Sequence, residues 1–272
     1  MTILDAILND TRALVAHRKA TIPARQLMDR PFFHSPTLPL APALRHDPIA
    51  VIAEIKRASP SRGLIRADFP VRELANQYKH GGARAISVLT EPIHFQGSLD
   101  NLALVRQTVD LPLLRKDFII DPYQLIEARA YGADAVLLIA AALEASRLYD
   151  LHAAATELGL SCLVEVYDPR ELERIDFDQV QILGVNNRDL RTFEVDVEHS
   201  LRTFAMAPDH VVRVSESGLG ESADTLAHLR RHGIDAVLIG EAFMRAPHPG
   251  AALADLMEQT RRRLDQPLRL VG

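Results

Sequence analysis

The stretch "GADAVLLI" (132–139) recurs in related form as "GGARAISVL" (81–89) and "GIDAVLIG" (233–240). Each copy has a glycine that closes a helix, a short link, and then an apolar run rich in leucine and β-branched residues. Apolar runs without alternation are typical of strands in a parallel sheet that is covered on both faces. The repeated pattern therefore predicts helix–strand units in series.

Working outward from these copies, we predict eight strands with helices between them. Eight such units in about 220 residues predict an α/β fold, a (β/α)8 TIM barrel. A doubly wound open sheet is the alternative, but it normally has fewer strands, and no G-x-G-x-x-G follows the first one. Helical patterns include 68–81, with Asp68 at its cap, 121–132, 221–233 and 249–268. The strands are predicted at 49–56, 84–89, 112–116, 134–139, 161–166, 181–186, 211–215 and 236–239.

The segment before the first strand has a different character. "ILDAILNDTRALVAHR" (3–18) has helical apolar spacing, whereas "PFFHSPTLPLAP" (31–42) is a connection broken by prolines. We expect residues 1–48 to form a helical extension packed on the barrel. Residues 49–272 would form the catalytic barrel, so that the whole chain is a single domain.

Composition narrows the function. The chain has 272 residues and a formal charge of -5, which argues against a nucleic-acid-binding surface. Its longest apolar run, 135–143, is far below the ~18 residues that span a bilayer. The single cysteine, Cys162, excludes an internal disulfide, and the first ten residues lack the basic region of a signal peptide. We expect a soluble, cytoplasmic protein without nucleic-acid or membrane partners.

Charged side chains stand where the apolar strands end. Glu54 and Lys56 emerge on one side of the first strand, because residues i and i+2 share a face. A single pair of this kind is equally well read as a salt bridge at a solvent-facing strand end. In a barrel, however, the C-terminal ends of the strands form the active site. Each buried ion costs several kcal/mol, so convergence of many on one rim indicates chemistry. The strand-end residues are Glu54, Lys56, Lys116, Glu165, Asn186, Arg188, Glu216, Ser217, Gly240 and Glu241.

The seventh and eighth units end in "SG" (217–218) and "GE" (240–241), each before a helical turn. The loops after these strands commonly bind phosphate through backbone N–H groups at a helix N-terminus. Glycine lets the backbone approach closely. These positions predict a phosphorylated small-molecule substrate.

Nine motifs together resemble those of the indole-3-glycerol-phosphate synthase family. They follow that family's order across residues 50–245, and the N-terminal helix and "RPFF" (30–33) extend the match. The resemblance implies a (β/α)8 barrel with an N-terminal segment, and a reaction that needs no cofactor and no metal. In that reaction an aromatic carbon attacks a ketone, carbon dioxide leaves, and then water leaves. The motifs are "AEIKRASPSRG", "SVLTEP", "FQGS", "LRKDFIID", "GADAVLLI", "LVEVYD", "GVNNRDL", "SESGL" and "VLIGEAFM".

The resemblance also implies a role for each residue. Lys116 would be the general acid, and Lys56 would meet the substrate carboxylate and later donate to the departing hydroxyl. Glu165 and Glu54 would be bases and proton shuttles, and Glu216 would hold the lysines and the ribulose hydroxyls. The substrate-binding residues would be Asn186 and Arg188 at the hydroxyl-bearing chain, Ser217, Gly218, Gly240 and Glu241 at the phosphate, Ser59 in the first loop, and Phe118, Phe95, Pro60 and Leu190 around the anthranilate ring.

Other activities remain open from the sequence. Lys116 or Lys56 would suit a Schiff-base aldolase, and a phosphosugar-binding barrel without catalysis would keep the phosphate loops. A phosphoribosylanthranilate isomerase would need a thiol near the first strand, whereas Cys162 is on the fifth. His228 and His232 have metal-ligand spacing, but no companion ligand motif, so a solvated helix face is expected. The sequence identifies no partner enzyme of the same pathway.

Overall fold

A computed structural model describes residues 2–189 and 192–266. Eight parallel strands close into a barrel, each hydrogen-bonded to the strands before and after it in the chain, and the first to the eighth. The predicted fold class is therefore confirmed, and each predicted strand end lies within one residue of the observed one. The barrel strands are Ala50–Ile55, Ala85–Leu89, Leu113–Lys116, Ala135–Ile139, Ser161–Val166, Ile182–Asn186, Val212–Glu216 and Ala236–Ile239.

Helices cover the outside of the barrel, and one of them corrects a prediction. The helix expected to be capped by Asp68 begins at Val71, and its N-cap residue is Pro70. Asp68 lies two residues before this N-cap position and therefore does not cap the helix. No helix among the described residues has both the length and the apolar character needed to cross a membrane. The α-helices are α1 Ile3–Thr21, α2 Ala24–Met28, α3 Leu40–Leu44, α4 Val71–His80, α5 Leu99–Arg106, α6 Pro122–Ala130, α7 Ala145–Glu157, α8 Glu198–Phe204, α9 Ala223–Arg231, α10 Glu241–Arg245 and α11 Pro249–Asp265. Short 3-10 helices are Pro31–His34, Ala140–Ala142 and Pro169–Arg174.

The lower half of the barrel lumen is an apolar core. Ala50 and Ile52 of the first strand face inward and pack with Leu40 and Leu44 of α3, which closes the N-terminal end of the barrel. The alternate residues of that strand, among them Val51, belong to the outer core between strands and helices. Burying each large aliphatic side chain stabilises the fold by about 1.5–3 kcal/mol. The alternation places the next inward-facing residues, beyond Ile52, at the upper end of the lumen.

The N-terminal segment is joined to the barrel by buried polar contacts. Arg18 of α1 forms an ion pair with Glu127 of α6 at 3.3 Å. The carboxylate of Asp134 accepts a hydrogen bond from the backbone N–H of Leu38 at 2.8 Å. Arg129 donates to the carbonyls of residues 33 and 35. These contacts hold α1 beside the open, C-terminal end of the barrel and α3 beneath its closed end.

Candidate active site

The C-terminal strand ends surround a cavity of about 720 Å³. Three aliphatic side chains, Leu137 and Ile139 of the fourth strand and Leu238 of the eighth, contribute to its wall. The cavity brings together every predicted site residue that the structure describes, while Leu190 lies outside the described residues. The residues brought together are Glu54, Lys56, Ser59, Pro60, Phe95, Lys116, Phe118, Glu165, Asn186, Arg188, Glu216, Ser217, Gly218, Gly240 and Glu241.

Lys116 lies at the centre of the charged groups. It is the last residue of the third strand, and its Nζ donates to Glu165 Oε2 at 2.8 Å and to Glu216 Oε2 at 2.5 Å. Burial lowers the pKa of the Lys116 ammonium, but the carboxylates of Glu165 and Glu216 raise it by more, so the pKa lies above its usual value. Lys116 is therefore held as a cation.

The two carboxylates bound to Lys116 differ in their electrostatics. Burial raises the pKa of Glu165. Lys116 and a hydrogen bond from the Asn186 amide at 3.2 Å lower that pKa by more than burial raises it, so the net shift is downward. Burial dominates at Glu216; Lys116 lowers its pKa and Glu165 raises it, which leaves a pKa of about 8. The Oε1 atom of Glu216 has no hydrogen-bond partner among the described residues. The opposite directions of the two pKa shifts mean that a proton shared by this pair resides on Glu216 in preference to Glu165.

Glu54 and Lys56 form a second ion pair in the same cavity. The Lys56 Nζ lies 2.5 Å from Glu54 Oε1. The pair is not the solvent-facing salt bridge that a single strand end would suggest, because the Glu54 side chain is only 4% exposed and that of Lys56 17%. Two lysines, each paired with carboxylate, therefore face the same space.

Two glycines that sequence reasoning missed or undervalued make room for the carboxylates. A Cβ atom at Gly184, on the sixth strand, would collide with Glu216 Oε1, and one at Gly240 would collide with Glu54. Gly184 was not predicted as a site residue. Its only sequence signal is a glycine inside a strand pattern, which marks a close approach of another group.

The predicted phosphate end, formed by Ser217, Gly218 and Gly240, has an unusual backbone. Ser217 and Gly218 follow the seventh strand in the left-handed region, with φ of +70° and +73°. Only glycine fits at 218, since a Cβ atom there would collide with Val195. A non-glycine residue in this region costs of order 1–3 kcal/mol and is found where structure around it enforces it, often at ligand sites. Gly240 follows the neighbouring eighth strand, directly before α10.

Three guanidinium groups surround the carboxylate of Glu241 at this end. Arg62 Nε lies 2.9 Å, Arg245 Nη1 3.6 Å and Arg188 Nη2 3.9 Å from its oxygens. Three positive charges around one negative charge leave an excess that suits a phosphate. The sequence analysis missed Arg62 and Arg245, because exposed arginines in a loop and a short helix have no distinctive local pattern.

The opposite side of the cavity is apolar. The rings of Phe118 and Phe95 lie 6.1 Å apart with an interplanar angle of 39°. Ile3, Leu4 and Ile7 of α1 also line the cavity, which the sequence analysis did not predict. Their helical spacing looked like ordinary packing, and nothing local showed that α1 would lie over the cavity.

The loop that carries Phe95 is fixed by hydrogen bonds. Glu91 accepts from the backbone N–H groups of residues 93, 94 and 95, at 2.6–2.9 Å. His94 Nε2 lies 2.8 Å from Asp10 Oδ2 of α1. The loop thus joins α1 to the aromatic side of the cavity.

The residues of the isomerase and metal-binding alternatives lie outside the cavity. Cys162 is buried on the fifth strand, and burial raises the pKa of its thiol to about 12, so it is an inert thiol rather than a reactive one. His228 Nε2 lies 3.0 Å from Glu198 Oε1 on the outer side of α9, and its ring lies 4.3 Å from that of His232. Both histidines belong to a solvated helix face, as predicted.

Comparison with known proteins adds a family and relatives. A family model described as "Indole-3-glycerol phosphate synthase" matches residues 4–256. The indole-3-glycerol phosphate synthase of Salinibacter ruber is 58% identical over 94% of this chain and 95% of its own length. That of Rhodopirellula baltica is 49% identical over 91% and 95%. The crystal structure of 3-hexulose-6-phosphate synthase from Salmonella typhimurium superposes with a TM-score of 0.63 at 15% identity, over 79% of this chain and 99% of that one, which shows a shared fold.

Proposed function

The chain belongs to the indole-3-glycerol phosphate synthase family, carboxy-lyases of tryptophan biosynthesis, and we propose how its side chains divide the reaction. The substrate is 1-(2-carboxyphenylamino)-1-deoxyribulose 5-phosphate, and the products are indole-3-glycerol phosphate, carbon dioxide and water. One observation carries the assignment of roles: Lys116 is held between Glu165 and Glu216, in a cavity with a cationic end and an apolar side.

The substrate has three parts that match three regions of the cavity. Its phosphate suits the end formed by Ser217, Gly218 and Gly240, with the surplus cations around Glu241. Its aromatic ring suits the side formed by Phe118 and Phe95. The ketone then lies between them, beside Lys116. A mostly apolar pocket with a few placed polar groups is the usual form of a small-molecule site.

Lys116 serves the first step, ring closure. The aromatic carbon that bears the carboxylate attacks the ketone, a C–C bond forms, and the ketone oxygen takes a proton from Lys116. The raised pKa means that Lys116 enters this step as a full cation, which stabilises negative charge developing on that oxygen. Lys56 holds the substrate carboxylate until carbon dioxide leaves, when the bonding electrons return to the ring.

The last step is loss of water. The new hydroxyl leaves with a proton from Lys56, and a base removes a proton from the neighbouring carbon to complete the indole. Glu165 is the base that the electrostatics favour, because its pKa is lowered and it stays ionised at neutral pH. Glu54 orients Lys56 through their 2.5 Å contact.

The absence of tryptophan from the sequence gives a direct test. The protein has no tryptophan and five tyrosines, so the indole ring of the product would emit against a nearly silent background. Adding excess substrate should raise indole emission far beyond one equivalent of protein, lower the anthranilate emission and release carbon dioxide. The proposal is overturned if the wild-type protein gives no indole emission beyond one equivalent and releases no carbon dioxide.

Treatment with borohydride distinguishes the synthase from a Schiff-base aldolase. Reduction in the presence of substrate would trap a Schiff base at Lys116 or Lys56. A synthase forms no covalent adduct, so we expect no mass increase on either lysine. The cytoplasmic location expected from the sequence stays a prediction.

A further inference from the structure

A second buried ionic cluster lies behind the third strand, on the side opposite to the lumen. Arg115, next to Lys116 in the chain, is fully buried and points away from the cavity by strand alternation. Its Nη2 donates to Asp117 Oδ2 at 2.9 Å and to Glu127 Oε2 at 3.1 Å. Its Nη1 donates to the Gln124 carbonyl at 2.6 Å.

Asp117 lines the cavity but has no free oxygen with which to act on a substrate. Oδ2 accepts from Thr90 Oγ1 at 2.5 Å as well as from Arg115. Oδ1 accepts from the backbone N–H of Phe118 at 2.9 Å. The same Thr90 donates its backbone N–H to the carbonyl of Lys116 at 3.1 Å. The Asp117 carboxylate therefore links the backbone N–H of Phe118 to the Thr90 side chain, just after the second strand. Thr90 in turn holds the carbonyl of Lys116 through its own backbone N–H.

The cluster continues outward to the N-terminal helix. Glu127 of α6 accepts from Arg18 of α1 as well as from Arg115. The Gln124 side chain donates to the carbonyl of Phe118 at 2.9 Å. Phe118 is thus fixed at both its N–H and its carbonyl. One chain of ionic contacts, Arg18–Glu127–Arg115–Asp117, connects α1 to the backbone of the residues that flank Asp117.

Stability alone does not account for this cluster. Replacing buried ion pairs by apolar residues of similar volume is often neutral or stabilising, since the desolvation of the charges offsets their attraction. A substitution that misplaces a reacting group by about 1 Å can lower the rate about a hundredfold. We propose that Asp117 is a positioning residue, which holds the backbone of Lys116 and Phe118 so that the ammonium meets the ketone while the ring meets the anthranilate. This inference rests on the proposed function.

The chain contains a matched control, Asp134, which contacts the other end of the third strand. Asp134 is buried like Asp117, pairs with Arg106 at 2.8 Å, and accepts the backbone N–H groups of Leu113 and Leu38 at 2.8 Å each. Leu113 begins the third strand, whereas Lys116 ends it. Asp134 therefore reproduces the burial, the arginine partner and the backbone contacts of Asp117 at a place remote from the reacting groups.

The test compares Asp117→Asn and Asp134→Asn with the wild type. Asn retains an oxygen for the backbone contact but loses the charge that pairs with arginine. Both variants should have a lower thermal midpoint. Asp117→Asn should also lose about 10–100-fold in kcat with KM within about twofold, and the pH dependence of its kcat should shift, because Lys116 moves relative to Glu165 and Glu216. Asp134→Asn should keep the wild-type kcat per folded molecule and the wild-type pH profile.

Equal kcat values for the two variants, or a change in KM alone at Asp117→Asn, would overturn the proposal. If Asp117→Asn does not fold, Thr90→Val decides, since valine keeps the shape and removes the hydroxyl that donates to Asp117. Thr90→Val should lose several-fold in kcat with an unchanged KM, and a wild-type kcat there would contradict a positioning role. Wild-type turnover, measured in parallel, separates failure of this inference from failure of the proposed function.

Discussion

The two halves of the barrel lumen are built from the same strands, but the lower half is an apolar core and the upper half holds charged side chains. On the first strand, Ile52 packs in the apolar lower half and Glu54, two residues on, carries charge in the upper half. On the third strand, Leu114 and Lys116 repeat this division. The lower half gains free energy from burial, whereas the upper half holds ions whose desolvation costs several kcal/mol each. The comparison teaches that the stability of this barrel and its chemistry are set two residues apart along the first and third strands.

The largest effect should come from removing the charge at the centre of the upper half. Lys116→Met should lower kcat by at least about 10³-fold, because general acid catalysis contributes about 10²–10⁴-fold and charge stabilisation of the ketone oxygen adds to it. Steady-state kinetics and equilibrium binding of a substrate analogue would measure the two effects separately. Binding should survive, because the phosphate end is unchanged. Near-normal turnover would remove Lys116 from the mechanism and end the contrast between the halves.

The next largest effect should come from the lower half and appear in stability. Leu44→Ala should lower the free energy of unfolding by about 2–5 kcal/mol, because it leaves a cavity under the lumen at a fully buried site. Denaturant unfolding gives this value, and kcat per folded molecule should equal that of the wild type. If Leu44→Ala lowered kcat as strongly as it lowered stability, the two halves would not be separable.

A smaller effect is expected where the upper half binds groups that do not react. Arg188→Ala should raise KM about tenfold or more with kcat changed by only a few-fold, because a hydrogen bond to a charged group is worth about 1.5–3 kcal/mol. Arg188 lies 3.9 Å from Glu241 and donates to the Phe193 carbonyl at 3.1 Å, so it is already oriented toward the cationic end. A fall in kcat at unchanged KM would place Arg188 among the reacting groups instead.

A further effect concerns how pH acts on stability through the upper half of the lumen. Glu216 keeps its proton in the folded protein up to a pH of about 8, whereas an unfolded glutamate loses it near 4.5. Between these values the folded state binds more protons than the unfolded state, so rising pH lowers the free energy of unfolding. Glu216→Gln removes this dependence. Thermal midpoints at pH 5, 6.5 and 8 should fall less with pH in the variant; an unchanged slope would show that Glu216 ionises normally.

Much of the fold could be predicted because each strand–helix unit repeats a local pattern. Gly132 closes a helix, and the apolar run after it becomes the strand Ala135–Ile139. Local rules failed where a neighbour overrides them: Pro70, not Asp68, precedes α4. The connection after the fifth strand forms only a 3-10 helix, Pro169–Arg174, where a barrel unit normally has an α-helix.

The candidate site was predictable where its residues follow directly from a strand end, as Lys116 and Glu165 do. Ile3 and Arg62, which reach the cavity from elsewhere, were not predicted. Ile3 lies on a helix whose docking depends on ionic contacts far along the chain, such as Arg18 with Glu127. Arg62 lies in the turn of a hairpin after the first barrel strand, formed by Ala58–Ser59 and Gly63–Leu64. It meets Glu241 only because this hairpin comes close to α10. Tertiary proximity of this kind has no signature in either local sequence.

The collision that a Cβ atom at Gly184 would have with Glu216 constrains how such a site can arise by mutation. A glutamate at 216 occupies its present position without a collision only when the sixth strand has glycine at 184, and the same relation joins Glu54 to Gly240. A path in which glycine comes first and the carboxylate second therefore avoids the collision. Once the glutamate is present, a larger residue at 184 has to displace the carboxylate that holds Lys116. A laboratory lineage that seeks new chemistry in this barrel should vary 184 and 216 together rather than one at a time.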